Sequence, residues 1–186
     1  AKKQGLQISC DLNFRKKLWT SEQANKTMSE IMPYVDVCIA NEEDAEKVFN
    51  IHASKTNVLT GELNREGYIE VAKEISERFH CHTVAITLRK SISASDNKWS
   101  AMLYQGGQAY FSKEYAIHIV DRVGGGDSFG AGLIYGLRHF DKPQEIIEFA
   151  VAASCLKHSI EGDYNRVTVD EVLTLANGDG SGRVQR

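Results

Sequence analysis

Proline is scarce in this 186-residue sequence, with only two, and no serine- or glycine-rich tract interrupts it, which argues against disorder. No charge of one sign prevails either. Lys and Arg number 22 against 25 Asp and Glu, for a net charge of −3, and the two signs are interspersed. That leaves no basic face for a nucleic-acid backbone, and the one basic cluster, Arg15-Lys16-Lys17, is short. No apolar run approaches the length needed to span a bilayer, and no signal peptide opens the chain. A membrane partner is therefore not expected, and the cytoplasm is the expected compartment. Cysteine is sparse and scattered: Cys10, Cys38, Cys81 and Cys155 form no CxxC pair and no disulfide-like framework. They read as free thiols buried in a reducing compartment. His80-Cys81-His82 has no second ligand cluster at zinc spacing, so it is not read as a metal site.

What is present is a globular chain, with 42% hydrophobic and 25% charged residues, long enough for one ordinary domain. A strand is expected over 6–12, then a helix opened by a capping box (Thr20 with Gln23) and running to about Tyr34. The continuous apolar run at 34–40 predicts a strand buried on both faces, followed by a helix over 42–49. Apolar positions at Tyr68, Val71, Ala72, Ile75 and Phe79 give a helical period over 66–79, and a second buried strand follows at 82–88. Three short strands are expected at 98–104, 108–113 and 116–121, the first turn being made by Gly106-Gly107. Helices follow at 127–140, at 143–160 with Pro143 in the first turn, and at 168–176. Asn177-Gly178-Asp179-Gly180 ends the last helix before a polar tail. Strand–helix alternation, then a hairpin, then helices predicts an α/β fold with a largely parallel central sheet and an antiparallel edge. No internal repeat or linker divides it, so residues 1–186 read as a single domain.

The chemistry lies in residues 117–137, IHIVDRVGGGDSFGAGLIYGL. A strand runs into Gly124, Gly125 and Gly126, and a helix opens at or just after Asp127. Without Cβ atoms, the glycines can present their amides outward and let a ligand come close. The helix adds unpaired N–H groups and its positive dipole end, so the corner suits an anion, most often phosphate. A carboxylate at that spot opposes anion binding and needs a reason of its own. Taking a proton from an attacking hydroxyl supplies one, because phosphoryl transfer asks the protein for positioning, charge neutralisation and an oriented nucleophile. Two other readings compete: Asp127 as a plain helix cap over a glycine turn, and a dinucleotide fingerprint using Gly124, Gly126 and Gly130. The fingerprint spacing is off by one residue, and it requires a strand after the helix where a further helix is expected.

Asp121-Arg122-Val123-Gly124-Gly125-Gly126-Asp127 resembles the second signature of the ribokinase-like (phosphofructokinase-B type) carbohydrate kinases, Asp-Thr-x-Gly-Ala-Gly-Asp. The resemblance implies a three-layer α/β/α fold, glycine amides forming an anion hole, and Asp127 as general base. Asn41-Glu42-Glu43-Asp44 falls where that family carries Asn-x-x-Glu. This implies that Asn41 and Asp44 act on Mg²⁺ through water and that Asn41 lies at the phosphates; taken alone, Asn41 reads as a helix N-cap. Three stretches, 11–19, 86–97 and 156–165, resemble 2-keto-3-deoxygluconate kinases in particular. By that likeness Arg15 meets the sugar-acid carboxylate, as a cationic fork suits a planar anion, and Asp163 contacts substrate. Arg89 and the loop after it border the nucleotide. A surface Arg and a turn residue are the bland alternatives for Arg15 and Asp163.

The implied reaction is transfer of phosphate from ATP, with Mg²⁺, to 2-dehydro-3-deoxy-D-gluconate, giving the 6-phosphate. A kinase of a neutral sugar or nucleoside on the same fold, or a non-catalytic nucleotide- or sugar-sensing module, stays open. Asp44 is one methylene shorter than the family's Glu, and Val123 replaces a residue that often bears a hydroxyl near a monovalent-cation site. The family's first glycine-rich signature and its β-sheet lid have no counterpart in these residues. The chain therefore reads as the C-terminal, nucleotide-binding portion, inactive by itself, with room for a homo-oligomer built through the lid.

Overall fold

A computed structural model describes residues 1–52 and 65–178. They group into two compact units: Ala1–Thr87 with Met102–Ala109, and Leu88–Ala101 with the chain from Tyr110 onward. Strands β3 (Thr83–Ser91) and β4 (Asp96–Gln105) contribute residues to both. Hydrogen bonding follows the order β1-β2-β3-β4-β5, with β6 paired to β4, so the sheet is mixed, as the strand–helix alternation predicts.

In the first unit, β1 (Ser9–Asp11), β2 (Val37–Asn41) and the start of β3 run parallel, with Cys10 opposite Cys38 and Asn41 opposite Thr87. Parallel register brings the carboxyl ends of these strands to one end of the sheet, the end at which α/β folds bind ligands. The strand expected over 6–12 is shorter, Ser9–Asp11. The backbone before it is held by side-chain chemistry instead: Asp36 accepts the Ile8 amide at 2.8 Å and pairs with Lys2. Helix α1 (Ser21–Ile31) opens on the expected capping box, Gln23 N donating to Thr20 Oγ1 at 3.2 Å and Thr20 N to Gln23 Oε1 at 2.9 Å. It buries Ala24 and Met28, four residues apart and so on one face, then tightens into a 3-10 turn at Met32–Tyr34. Helices α2 (Glu42–Phe49) and α3 (Arg65–Phe79) complete the unit, with the Phe49 and Phe79 rings 4.6 Å apart. Four of the five apolar positions of the α3 period, Val71, Ala72, Ile75 and Phe79, are buried.

In the second unit, β4 pairs antiparallel with β6 (Tyr115–His118), Asp96 facing His118 and Trp99 facing Tyr115. The expected strand at 116–121 stops at His118, because the Val120 and Asp121 amides turn to the carbonyl of His158. Short β5 (Gln108–Phe111) bridges the units in sequence, after the glycine turn expected at 106–107. Helices α4 (Gly125–His139), α5 (Pro143–His158) and α6 (Val169–Asn177) follow. The α4 glycines allow close helix packing: a Cβ at Gly132 would lie 3.0 Å from Ala150 Cα, and one at Gly136 3.1 Å from Ile146 Cγ2. Phe149, Ala152 and Ala153 of α5 form a buried cluster with Val172 and Ala176 of α6. The polar tail expected after Gly178 lies outside the described residues.

All four cysteines are free; Cys38, Cys81 and Cys155 are buried and Cys10 partly so. Burial pushes each thiol above its usual range, Cys81 to about 11, which leaves them protonated.

Candidate functional site

In the first unit, the predicted residues Arg15, Asn41 and Asp44 gather at the carboxyl end of the parallel strands. β2 passes directly into α2, and Asn41 is its N-cap, its Oδ1 accepting the amides of Glu43 at 2.8 Å and Asp44 at 3.0 Å. Asp44 answers from the third helical position, Oδ2 accepting Asn41 N at 3.1 Å, which completes a capping box. Its other oxygen takes the Phe14 amide at 3.0 Å and so ties down the segment leading to Arg15. Burial raises the Asp44 carboxyl above its usual value, while the two amide hydrogen bonds and the charge of Arg15 pull the other way. Arg15 itself is exposed.

In the second unit, Gly124, Gly125, Gly126, Asp127, Asp163 and Arg89 occur together with residues that sequence reasoning passed over. Gly124 is the N-cap of α4 in the left-handed conformation, φ 78°, and no side chain caps the helix. A Cβ there would lie 2.1 Å from the backbone oxygen of Asp163, so only glycine allows this approach. Gly125 rests on the ring of His158, where a Cβ would come within 2.7 Å of Cε1, whereas nothing lies within 4 Å of the Cβ position of Gly126. The Gly125 amide reaches Arg122 O at 3.3 Å and the Ser128 amide Gly124 O at 2.9 Å. Among the described residues, the amides of Gly126 and Asp127 have no acceptor. Both residues are exposed, while Gly124 and Gly125 are buried.

The strand exit is braced as well. Asp121 accepts Val123 N at 2.9 Å through Oδ1 and Gly162 N at 2.9 Å through Oδ2. Those two bonds hold its carboxyl below the ordinary value of 3.8. Arg122 donates to the carbonyl of Ala94, in the loop that follows Arg89 and turns around Ser93 and Asp96. Ser154 Oγ, fully buried, donates to Gly125 O at 2.8 Å. One turn further along α5, His158 Nδ1 lies 2.7 Å from Ser154 O, and since a carbonyl only accepts, Nδ1 carries the proton. The His158 imidazole sits 5.1 Å from the Trp99 ring. No local pattern marks Ser154 or His158, because each contact with Gly125 spans about thirty residues; the Asp121 bridge to Gly162 is equally nonlocal.

A Mg²⁺ ion wants oxygen ligands in near-octahedral order and keeps several waters. Among the described residues no group of three or more His, Cys, Asp or Glu could hold a metal ion. Both Asp44 oxygens are already engaged by backbone amides. This donor set cannot cage Mg²⁺ by itself and fits the ion only as a contributor beside other ligands.

The mixed sheet with flanking helices is a ribokinase-like fold. The pfkB family carbohydrate kinase model matches residues 1–168, and the chain belongs to that family. It is similar to the solved 2-dehydro-3-deoxygluconokinase of Thermotoga maritima at 52% identity and a TM-score of 0.89, covering 96% of this chain and 52% of that one. It is 26% identical over 178 residues to the 2-dehydro-3-deoxygalactonokinase of Haloferax volcanii, covering 96% of this chain and 49% of that protein. Arabidopsis thaliana ribokinase, solved with ribose and ATP, shares the fold at a TM-score of 0.63 and 18% identity, over 95% of this chain and 49% of its own. The chain spans about half the length of these relatives.

Proposed function

We propose that this chain is the nucleotide-binding portion of a kinase that transfers the γ-phosphate of ATP to a 2-keto-3-deoxy sugar acid, foremost 2-dehydro-3-deoxy-D-gluconate at its 6-hydroxyl. One observation carries the reading: an uncapped glycine corner whose Gly126 and Asp127 amides have no acceptor among the described residues, with an exposed carboxylate on the same turn. An open helix start attracts an anion, and the carboxylate beside it has a use only if a proton is to be removed. Asp127 takes the proton of the sugar hydroxyl as its oxygen attacks the γ-phosphorus. The bond to the bridging oxygen breaks and ADP leaves. The open amides of Gly126 and Asp127, at the end of the Gly124–Gly126 turn, stabilise the charge on the phosphoryl group in flight, while the Gly125 amide is held by Arg122 O.

Mg²⁺ would neutralise phosphate charge, met through water by Asn41 and Asp44. Arg89 borders the nucleotide in this reading, while Arg15 and Asp163 hold the sugar acid. The relatives named for 2-keto-3-deoxy acids of gluconate and galactonate support the substrate class, and the more similar of them favours gluconate. The test is a coupled assay of the full-length protein with ATP and Mg²⁺. 2-Keto-3-deoxygluconate should be turned over well and fructose poorly. ATP binding without phosphorylation of any sugar acid would instead point to a sensing module.

A further inference from the structure

The Ser154 hydroxyl is fully buried and has a single acceptor, the carbonyl of Gly125, at 2.8 Å. That carbonyl belongs to the same planar peptide as the Gly126 amide. In a trans peptide the C=O and N–H point in opposite directions, so fixing one fixes the other. The carbonyl is drawn into the protein toward α5, and the Gly126 N–H is thereby aimed outward, where it has no acceptor among the described residues. From below, the His158 ring packs against Gly125, and its Nδ1–H is spent on Ser154 O at 2.7 Å. The peptide can neither flip nor sink without breaking a buried hydrogen bond or striking the ring.

We propose that Ser154 is a positioning residue for phosphoryl transfer: its hydroxyl sets the orientation of the Gly125–Gly126 peptide, and so aims one donor of the anion hole, while His158 forms the floor beneath. Ser154 touches neither nucleotide nor sugar. It acts through Gly126, and the inference rests on the kinase reading above. The Gly125 carbonyl belongs to the first turn of the α4 ladder, and at this frayable turn the Ser154 hydroxyl gives it a second, buried hold from a neighbouring helix. Donors of this kind act by being fixed before the charge develops, and a small misplacement costs rate more than binding.

The test compares full-length wild type with Ser154→Ala, Ser154→Thr and Asp127→Asn. It reads kcat, KM for the sugar acid, melting temperature, and affinity for ADP with and without aluminium fluoride, a mimic of the phosphoryl group in transfer. Ser154→Ala should lower kcat about tenfold or more, with KM and ADP affinity within about twofold. It should also forfeit most of the tightening that aluminium fluoride gives to ADP. Ser154→Thr, which keeps the hydroxyl, should recover most of both. Unchanged kcat per folded molecule in Ser154→Ala, with only a lower melting temperature, would reduce the residue to a packing role and overturn the proposal. So would equal losses in the Ala and Thr variants. Loss of turnover in Asp127→Asn with none in Ser154→Ala sinks this inference and leaves the kinase reading standing. A wild type that transfers no phosphate to sugar acids sinks the kinase reading and this inference with it.

Discussion

Two strand-to-helix corners in this chain use opposite chemistry. At the start of α2, Asn41 and Asp44 cap each other, and Asp44 also takes the Phe14 amide. That helix start is closed by its own side chains. At the start of α4 the cap is Gly124, which has no side chain to offer, and among the described residues the donors of Gly126 and Asp127 stay open. Orphan amides at a helix start are ordinarily satisfied by a cap, by water or by a ligand. At the second corner the cap is forgone and the backbone is braced from behind by Ser154, His158 and Asp163, which is the arrangement the proposed phosphate site calls for. The closed corner keeps its own geometry through its capping box.

The two corners should therefore fail in different ways, and the sharpest break is at Gly124. Gly124→Ala puts a Cβ onto Asp163 O in a left-handed backbone, which should cost about 3 kcal/mol or more in urea unfolding. Gly126→Ala has open space around the new methyl group, so stability should stay within about 1 kcal/mol while turnover collapses. Equal stability losses at the two positions would erase the distinction between a braced floor and an open mouth.

Arg15, next to the closed corner, is the following test. A charge-assisted fork to a carboxylate contributes about 1.5–3 kcal/mol, so Arg15→Leu should weaken sugar-acid use by about 10- to 150-fold. Fructose, a poor substrate throughout, should hardly change. Equal losses on both would assign Arg15 to the fold or the phosphates. At the closed corner itself, Asn41→Ala should cost about 1 kcal/mol of stability, the usual worth of a helix cap. A large loss of turnover without that stability loss would show that Asn41 serves the ligand more than the helix.

The smallest effect concerns pH. Burial beneath Gly125 lowers the His158 pKa below its ordinary 6.5; its bond to Ser154 O opposes this, and the charges of Lys157, Arg122 and Arg89 add to it. The unfolded chain then binds this proton more readily than the folded one. The contribution is whole above pH 6.5 and drains away as pH falls from there toward the lower folded value. His158→Gln should flatten that part of the stability profile on the acid side of pH 6.5; an unchanged slope would contradict the buried neutral imidazole.

Much of this was legible in the sequence because it is local. The capping box at Thr20, the apolar period of α3 and the glycine run before α4 each declare themselves within a few residues. Asn41 carried two meanings at once, a helix N-cap and part of a metal-associated motif; its side chain forms the cap, and the reciprocal bond to Asp44 was not foreseen. What stayed hidden depends on chain segments that meet only in the fold. Ser154 reads as one more small residue on an apolar helix, and the glycines at 132 and 136 look like poor helix formers until Ala150 and Ile146 are seen against them. The early end of β6 has the same origin, since the carbonyl of His158, forty residues on, captures the amides that would have continued the strand.

The most direct test of the open corner is Asp127→Asn in the full-length protein, following sugar-acid turnover and nucleotide affinity side by side. If the carboxylate is the base, kcat should fall by about a hundredfold or more. ATP should bind as well or better, because a negative charge beside the phosphates is gone. Near-normal turnover would make Asp127 a helix-start residue like Asp44 and contradict the account.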